Sequence, residues 1–315
     1  MISLGFIFVG LVLLLVGAEI MIKGAVAFAQ RINISSHIVG LTVIGFGTST
    51  PELFVSFKAA INCLPGIAIG NVIGSNIANI LLLIGIVGMI SPFLCNSVNI
   101  RRDGIILIIG TMIFVGISIN NSIIERWHGA IMVTILLVYL FYCYREEQRQ
   151  NNDLSTEKVE KSDFLITKGW CIFLYMSGGL IAVLAGARFL LDGAVSIANH
   201  IGISETVIGI TIVAVGTSLP ELATTIVAAL HRHNNLALGN IIGSNIFNTM
   251  GIIGITALVN PLPVPQDVTI LNLWFMLSVT ILFIAMAIVL PKFNRTWAMV
   301  FLTTYVIFII YQFFI

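Results

Sequence analysis

Two glutamates stand inside hydrophobic segments of this chain, Glu52 in GTSTPEL and Glu221 in GTSLPEL. A carboxylate near the centre of a membrane span costs about 2.5 to 3.5 kcal/mol on insertion scales, so its presence there marks a function. Helical spacing gathers oxygen donors around each one. Thr48 lies four residues before Glu52, Ser49 three before and Ser56 four after, so all share a helix face. In the following segment Asn71, Ser75 and Asn79 recur every four residues. The second motif repeats both stripes, with Thr217, Ser218, Glu221 and Thr225 on one helix and Asn240, Ser244 and Asn248 on the next.

These residues suit a hard cation. Pro51 and Pro220 have no backbone N–H, so carbonyls one turn upstream, near Gly47-Thr48 and Gly216-Thr217, lose their helical partner. Such carbonyls persist at membrane depth only where something else satisfies them. Calcium takes six to eight oxygens from carboxylates, amides, carbonyls and hydroxyls, and sodium accepts the same donors. A softer metal would ask for the imidazole or thiolate that both stripes lack. Two ionised carboxylates balance one divalent or two monovalent cations. An occupied or protonated site crosses an occluded state more easily than an empty charged one, which makes exchange obligatory.

The elements that position these stripes form a duplicated unit. Gly47 to Ile86 matches Gly216 to Ile255, 169 positions later, at about half of forty positions without a gap. Upstream, Gly17-Ala18, Gly24-Ala25, Ile34-Ser35 and Val39-Gly40 align with Gly186-Ala187, Gly193-Ala194, Ile203-Ser204 and Ile208-Gly209. The GxxxG pairs Gly70/Gly74 and Gly239/Gly243 suit close helix packing. The 315-residue chain is 58% apolar and 9% charged, with a mean hydropathy of +1.07. This identifies an integral membrane protein, and the formal net charge of +1 gives no basic field for nucleic acid.

The predicted fold class is all-α and polytopic, with ten transmembrane helices as two inverted five-helix repeats. The spans are expected near 3–23, 34–60, 66–92, 104–120, 127–144, 169–191, 203–230, 236–259, 268–290 and 296–314. Residues 1–144 form the first repeat, 145–168 a solvated linker and 169–315 the second repeat. Five spans separate equivalent motifs, so the halves point opposite ways, and transporters of this kind hold substrate near the midplane. With the N-terminus outside, twelve of fifteen basic residues fall on the cytoplasmic side, leaving Lys58, Arg126 and Arg188. Both termini are therefore expected outside, the linker cytoplasmic, the first span retained and the location the cell membrane. Cys63, Cys95, Cys143 and Cys171 read as packing residues, and His37, His128, His200, His231 and His233 as interfacial ones. A monomer suffices for such a site.

At GTSTPE with GNVIGSNIAN, and GTSLPE with GNIIGSNIFN, the chain resembles the sodium/calcium exchanger family of the cation/calcium exchanger superfamily. The motifs cover about a quarter of the sequence, and the duplicated layout extends the likeness over nearly all of it. The resemblance implies a sodium-for-calcium antiporter working by alternating access, usually with three sodium ions per calcium, with no cofactor beyond the transported ions. It further implies Glu52 and Glu221 as central ligands, with Thr48, Ser49, Ser75 and Asn79 beside the first and Thr217, Ser218, Ser244 and Asn248 beside the second. Gly45 and Ala214 would supply backbone carbonyls. Some relatives, a potassium-dependent branch among them, carry an acidic residue at the position of Asn248; here both copies have Asn, which makes the site less negative. The linker is too short for the folded calcium-sensing domains of larger relatives.

Three other readings compete. A calcium/proton or potassium-dependent exchanger would use the same donors. A passive channel would show flux without a counter-ion. An intramembrane enzyme using the glutamates as an acid-base pair would have no need of the surrounding hydroxyl and carbonyl oxygens.

Overall fold

The computed structural model describes residues 2–95, 98–121, 123–153, 168–200, 214–265 and 267–312. The fold is all-α. Helix α1 (Ile2–Ile32) packs antiparallel on α9 (Gly169–His200) through glycines. A Cβ at Gly10 would meet Leu190 and Gly186, one at Gly17 would meet Val183 and Gly179, and one at Gly179 would strike Met21. Only residues without a side chain let two backbones approach this closely.

Between them the first repeat runs through α2 (Ser36–Val39), a π-helical segment (Gly40–Ile44), α3 (Gly45–Thr48), α4 (Thr50–Ile61) and α5 (Pro65–Ala78). It continues through a second π segment (Asn79–Leu83), α6 (Ile84–Ile90), α7 (Val98–Asn121) and α8 (Arg126–Asp153). After α9 come α10 (Ala214–Thr217), α11 (Leu219–Leu230), α12 (Asn234–Ile246), a π segment (Phe247–Ile252), α13 (Ile253–Val259), α14 (Asp267–Val289) and α15 (Arg295–Gln312).

Elements separated by 169 positions take the same form. The α4–α5 hairpin turns at Cys63 (φ 57°) and the α11–α12 hairpin at Arg232 (φ 61°). In one, Cys63 and Leu64 N–H groups reach the Ala60 and Ala59 carbonyls; in the other, Arg232 and His233 reach Ala229 and Ala228. Two such bonds close a helix end whatever side chain sits at the left-handed position. Four two-residue strands obey the same relation. β1 (Phe93–Leu94) pairs with β4 (Lys292–Phe293), and β2 (Ile123–Ile124) with β3 (Leu262–Pro263). The register Phe93 opposite Phe293 reappears as Leu262 opposite Ile124, so each clip ties one repeat to the other.

Among the described residues, seven helices are long and apolar enough to cross a membrane, and eight when the bent pair Ser36–Thr48 and Thr50–Ile61 is one span. Leu219–Leu230 is a shorter apolar helix; the upstream part of the span expected at 203–230 lies outside the described residues. Three expectations need correction. Residues 145–153 of the expected linker continue α8, and Glu147 is buried there; residues 154–167 lie outside the described residues. His37 and His128 are buried rather than interfacial, because each has hydrogen-bond partners inside the fold. Cys63 is exposed at its turn instead of packed.

Candidate functional site

Each glutamate is placed by a helix break. Ser49 (φ −79°, ψ 10°) separates α3 from α4, and the two helices meet at a 44° bend. Ser218 (φ −88°, ψ 6°) does the same between α10 and α11. Pro51 and Pro220 occupy the first turn of the new helices, where a missing N–H costs nothing. The break thus turns Glu52 and Glu221 into first-turn residues, where a helix N-terminus favours an anion.

Both carboxylates are buried, 1% and 0% exposed, among apolar helices. Among the described residues neither forms an ion pair. They are held crosswise. Ser49 Oγ of the first repeat donates to Glu221 Oε1 at 2.8 Å, and Ser218 Oγ of the second donates to Glu52 Oε1 at 3.3 Å. The motifs therefore meet at the centre of the molecule, each serine serving the opposite carboxylate.

The remaining oxygens have unused capacity. Glu52 Oε2, Glu221 Oε2, Ser75 Oγ, Asn79 Oδ1 and Asn248 Oδ1 are buried without a hydrogen-bond partner. Buried polar atoms are normally paired, so five orphaned oxygens on residues of the two polar stripes leave room for a ligand that accepts oxygen lone pairs. Thr48 Oγ1 donates to the Ile44 carbonyl at 3.0 Å and lies 3.4 Å from both the Gly45 carbonyl and Asn240 Oδ1. Ser244 Oγ donates to the Gly45 carbonyl at 3.2 Å, bringing that carbonyl to the repeat interface. Thr217 and Ser218 are buried, and Ala214 opens α10. Among the described residues no group of three or more His, Cys, Asp or Glu side chains could hold a metal ion; the buried oxygens beside the two glutamates belong to hydroxyls, amides and a backbone carbonyl.

Two features went unread in the sequence. Asn79 and Asn248 begin or lie within π-helical segments, Asn79–Leu83 and Phe247–Ile252, where widened turns commonly mark functional positions. Thr224 accepts from Asn240 Nδ2 at 3.1 Å, beside Thr225 at 3.0 Å. Its spacing of three from Glu221 was the available signal, masked because the equivalent residue in the first repeat is Val55.

The family described as "Sodium/calcium exchanger protein" matches residues 2–145 and again 171–314. The chain is 36% identical over 293 residues to the putative antiporter CaxA of Alkalimonas amylolytica, covering 92% of this chain and 91% of that one. It is 29% identical to the sodium/calcium exchanger MaX1 of Methanosarcina acetivorans over 97% of both chains. Among solved structures it resembles the sodium-calcium exchanger NCX_Mj soaked with Na+ and Ca2+, with a TM-score of 0.85, 30% identity and coverage of 98% and 97%. With the family matched in both halves and the fold matched over nearly its whole length, the chain belongs to the sodium/calcium exchanger family, as a multi-pass membrane antiporter for calcium and a second cation and not an enzyme.

Proposed function

We propose that the counter-ion is sodium, and that both ions bind between the two repeats at one site. Its ligands are Glu52, Thr48, Ser49, Ser75, Asn79 and the Gly45 carbonyl on one side, and Glu221, Thr217, Ser218, Ser244, Asn248 and the Ala214 carbonyl on the other. The observation that carries this reading is the set of unpaired buried oxygens around two carboxylates that have no basic partner among the described residues. A hydroxyl that donates to a carboxylate keeps lone pairs for a cation, so Ser49 and Ser218 serve both. One calcium or two sodium ions cancel the pair's charge; the four side-chain amide and hydroxyl positions Ser75, Asn79, Ser244 and Asn248 add oxygens without charge.

Residues 1–144 and 169–315 act as the two moving repeats, with both termini outside the cell membrane, the segment between them cytoplasmic and the monomer as the transport unit. Exchange of three sodium ions for one calcium moves one net charge, so each 100 mV biases the cycle by about 2.3 kcal/mol.

The test is radiolabelled calcium uptake into vesicles containing the purified protein, varying only internal sodium, potassium or pH. Uptake should follow internal sodium, and Glu52→Gln or Glu221→Gln should abolish it. Uptake that ignores sodium and follows a proton gradient would assign the protein to calcium/proton exchange; a strict potassium requirement would place it with the potassium-dependent exchangers.

A further inference from the structure

Beside the proposed ligands, one hydrogen bond joins the two repeats through a pair of residues outside the ligand set. Asn76 on α5 is 1% exposed and follows Ser75; Thr249 is fully buried and follows Asn248. Asn76 Nδ2 donates to Thr249 Oγ1 at 2.7 Å and lies 3.7 Å from Met276 Sδ on α14, also in the second repeat. The bond therefore links the helix that carries Ser75 and leads into Asn79 to the π segment that carries Asn248.

The two ligand amides have no such bond of their own. Both polar side-chain atoms of Asn79 and both of Asn248 are buried without a hydrogen-bond partner among the described residues, so the backbone alone places them. That backbone is π-helical at both residues, and its i→i+5 turns fix side-chain direction less firmly than an α-helix does. A pin on the next residue is what keeps Asn248 at a set distance from Ser75 and Asn79.

We propose, on the reading of Asn79 and Asn248 as ligands, that Asn76 and Thr249 are positioning residues that set the width of the ion cage and so its preference for calcium over a larger divalent cation. Selectivity among hard cations follows from cavity size, ligand number and flexibility, with calcium's oxygens at about 2.3 to 2.6 Å. A site of this kind works only when its groups are held within about 0.5 Å. Neutral amides make the demand stricter, because they attract an ion through their dipoles and carry no charge to draw it from a distance. Strontium has calcium's charge and takes the same oxygens at a greater distance. A pinned cage admits it at a cost; a loosened cage widens to accept it and grips calcium less.

The pin is one-sided by sequence. Asn245, 169 positions beyond Asn76, is equally buried, but the first-repeat counterpart of Thr249 is Ile80, which has no hydroxyl to receive it. Asn245 Nδ2 turns back to the Ile241 carbonyl of its own helix at 2.7 Å. The twin is thus an internal control, the same residue type beside an equivalent serine with its amide hydrogen bond spent within one helix.

The experiment titrates the purified full-length protein in detergent with calcium alone and with strontium alone. Thr249→Val and Asn76→Leu should each weaken calcium binding about fivefold, the size of one neutral hydrogen bond, and keep strontium binding within about twofold of wild type. The double variant should be no worse than either single one, because both remove the same bond. Thr249→Ser keeps the hydroxyl and should keep the wild-type ratio of the two affinities, as should Asn245→Leu. Thr249→Val changes shape least, so a poorly folded Asn76→Leu leaves the test standing. Losses that add in the double variant, calcium and strontium affinities that fall by the same factor, or a Thr249→Ser protein with the Thr249→Val ratio each overturn the proposal. Asn79→Ala and Asn248→Ala are titrated alongside. If both bind calcium as wild type does, the ligand reading fails and this inference with it; if both are weakened while Asn76→Leu and Thr249→Val are not, the pin alone is overturned. Neither titration contains a counter-ion, so failure of sodium coupling would be seen separately.

Discussion

Helices α5 and α12 carry nearly the same sequence, GNVIGSN and GNIIGSN, in two different surroundings. On α12, Gly239 and Gly243 are pressed against the backbone of His37 and Leu41, so closely that a Cβ on either would overlap it. On α5, a Cβ at Gly70 or Gly74 would meet no atom of a described residue within 4 Å, and Gly66, Ile67 and Gly70 are exposed. The seam at α12 is shut, and on α5 no described residue takes the place of His37 and Leu41; their equivalents, Thr206 and Ile210, lie outside the described residues. One glycine surface is thus encoded twice, and among the described residues its α12 copy is the packed one. Alternating access requires each copy to pack in its turn.

The strongest test of that comparison is to fill the glycines. Gly243→Ala places a methyl group against the Leu41 backbone, and overpacking of this kind costs about 1 to 3 kcal/mol; the melting temperature and the transport rate should both fall. Gly74→Ala meets no described residue within 4 Å, so the melting temperature should hold. Its transport rate should nevertheless drop about tenfold, because the seam at α5 must shut in the opposite state at a similar cost. Unchanged turnover in Gly74→Ala would mean that this seam never closes, and the comparison would be one of architecture only.

That difference also marks the limit of what the sequence disclosed. The polar stripes, the proline breaks and the 169-residue repeat were legible because they are periodic, and each recurs with the same chemistry. Which GxxxG pair is packed was not, since both copies read alike and the answer depends on how the repeats are disposed. The burial of His37 rests on Asp103, 66 positions away, and on a carbonyl 198 positions away, neither of which leaves a local pattern. The π segments at Asn79 and Phe247-Asn248 have no proline or glycine at their first residue to announce them. The continuation of α8 to Asp153 was hidden by a charged composition that also suits a loop, although Glu147 inside it is tied to Ser35.

A smaller contrast comes from the twin asparagines. Asn240 has its Oδ1 3.4 Å from Thr48 Oγ1 of the other repeat and donates to Thr224 and Thr225 of its own, all buried. Asn71 donates to the Glu52 carbonyl and Ser56 within its own repeat and is only half-buried. Asn240→Ala should therefore destabilise the protein by about 1 to 3 kcal/mol, and Asn71→Ala by about 1 kcal/mol or less because water can replace the lost partner. Thermal unfolding in detergent reads both. Equal losses would show that the two seams are held equally well.

The finest contrast lies at the ion site, where the crossed serine bonds differ in length, 2.8 Å for Ser49 to Glu221 and 3.3 Å for Ser218 to Glu52. A short bond to a carboxylate orients it more firmly than a long one. With calcium bound, each hydroxyl would also offer its lone pairs to the ion, so removing either weakens binding, and the shorter bond adds the loss of a fixed carboxylate. Ser49→Ala should raise the calcium concentration for half-maximal uptake about fivefold, and Ser218→Ala about twofold, at constant sodium. Measuring both with calcium presented first to one face and then to the other sharpens the result. If the order of the two variants reverses with the face, the serines trade roles as the seams do; if it stays the same, the asymmetry is built into the site and only the access to it alternates.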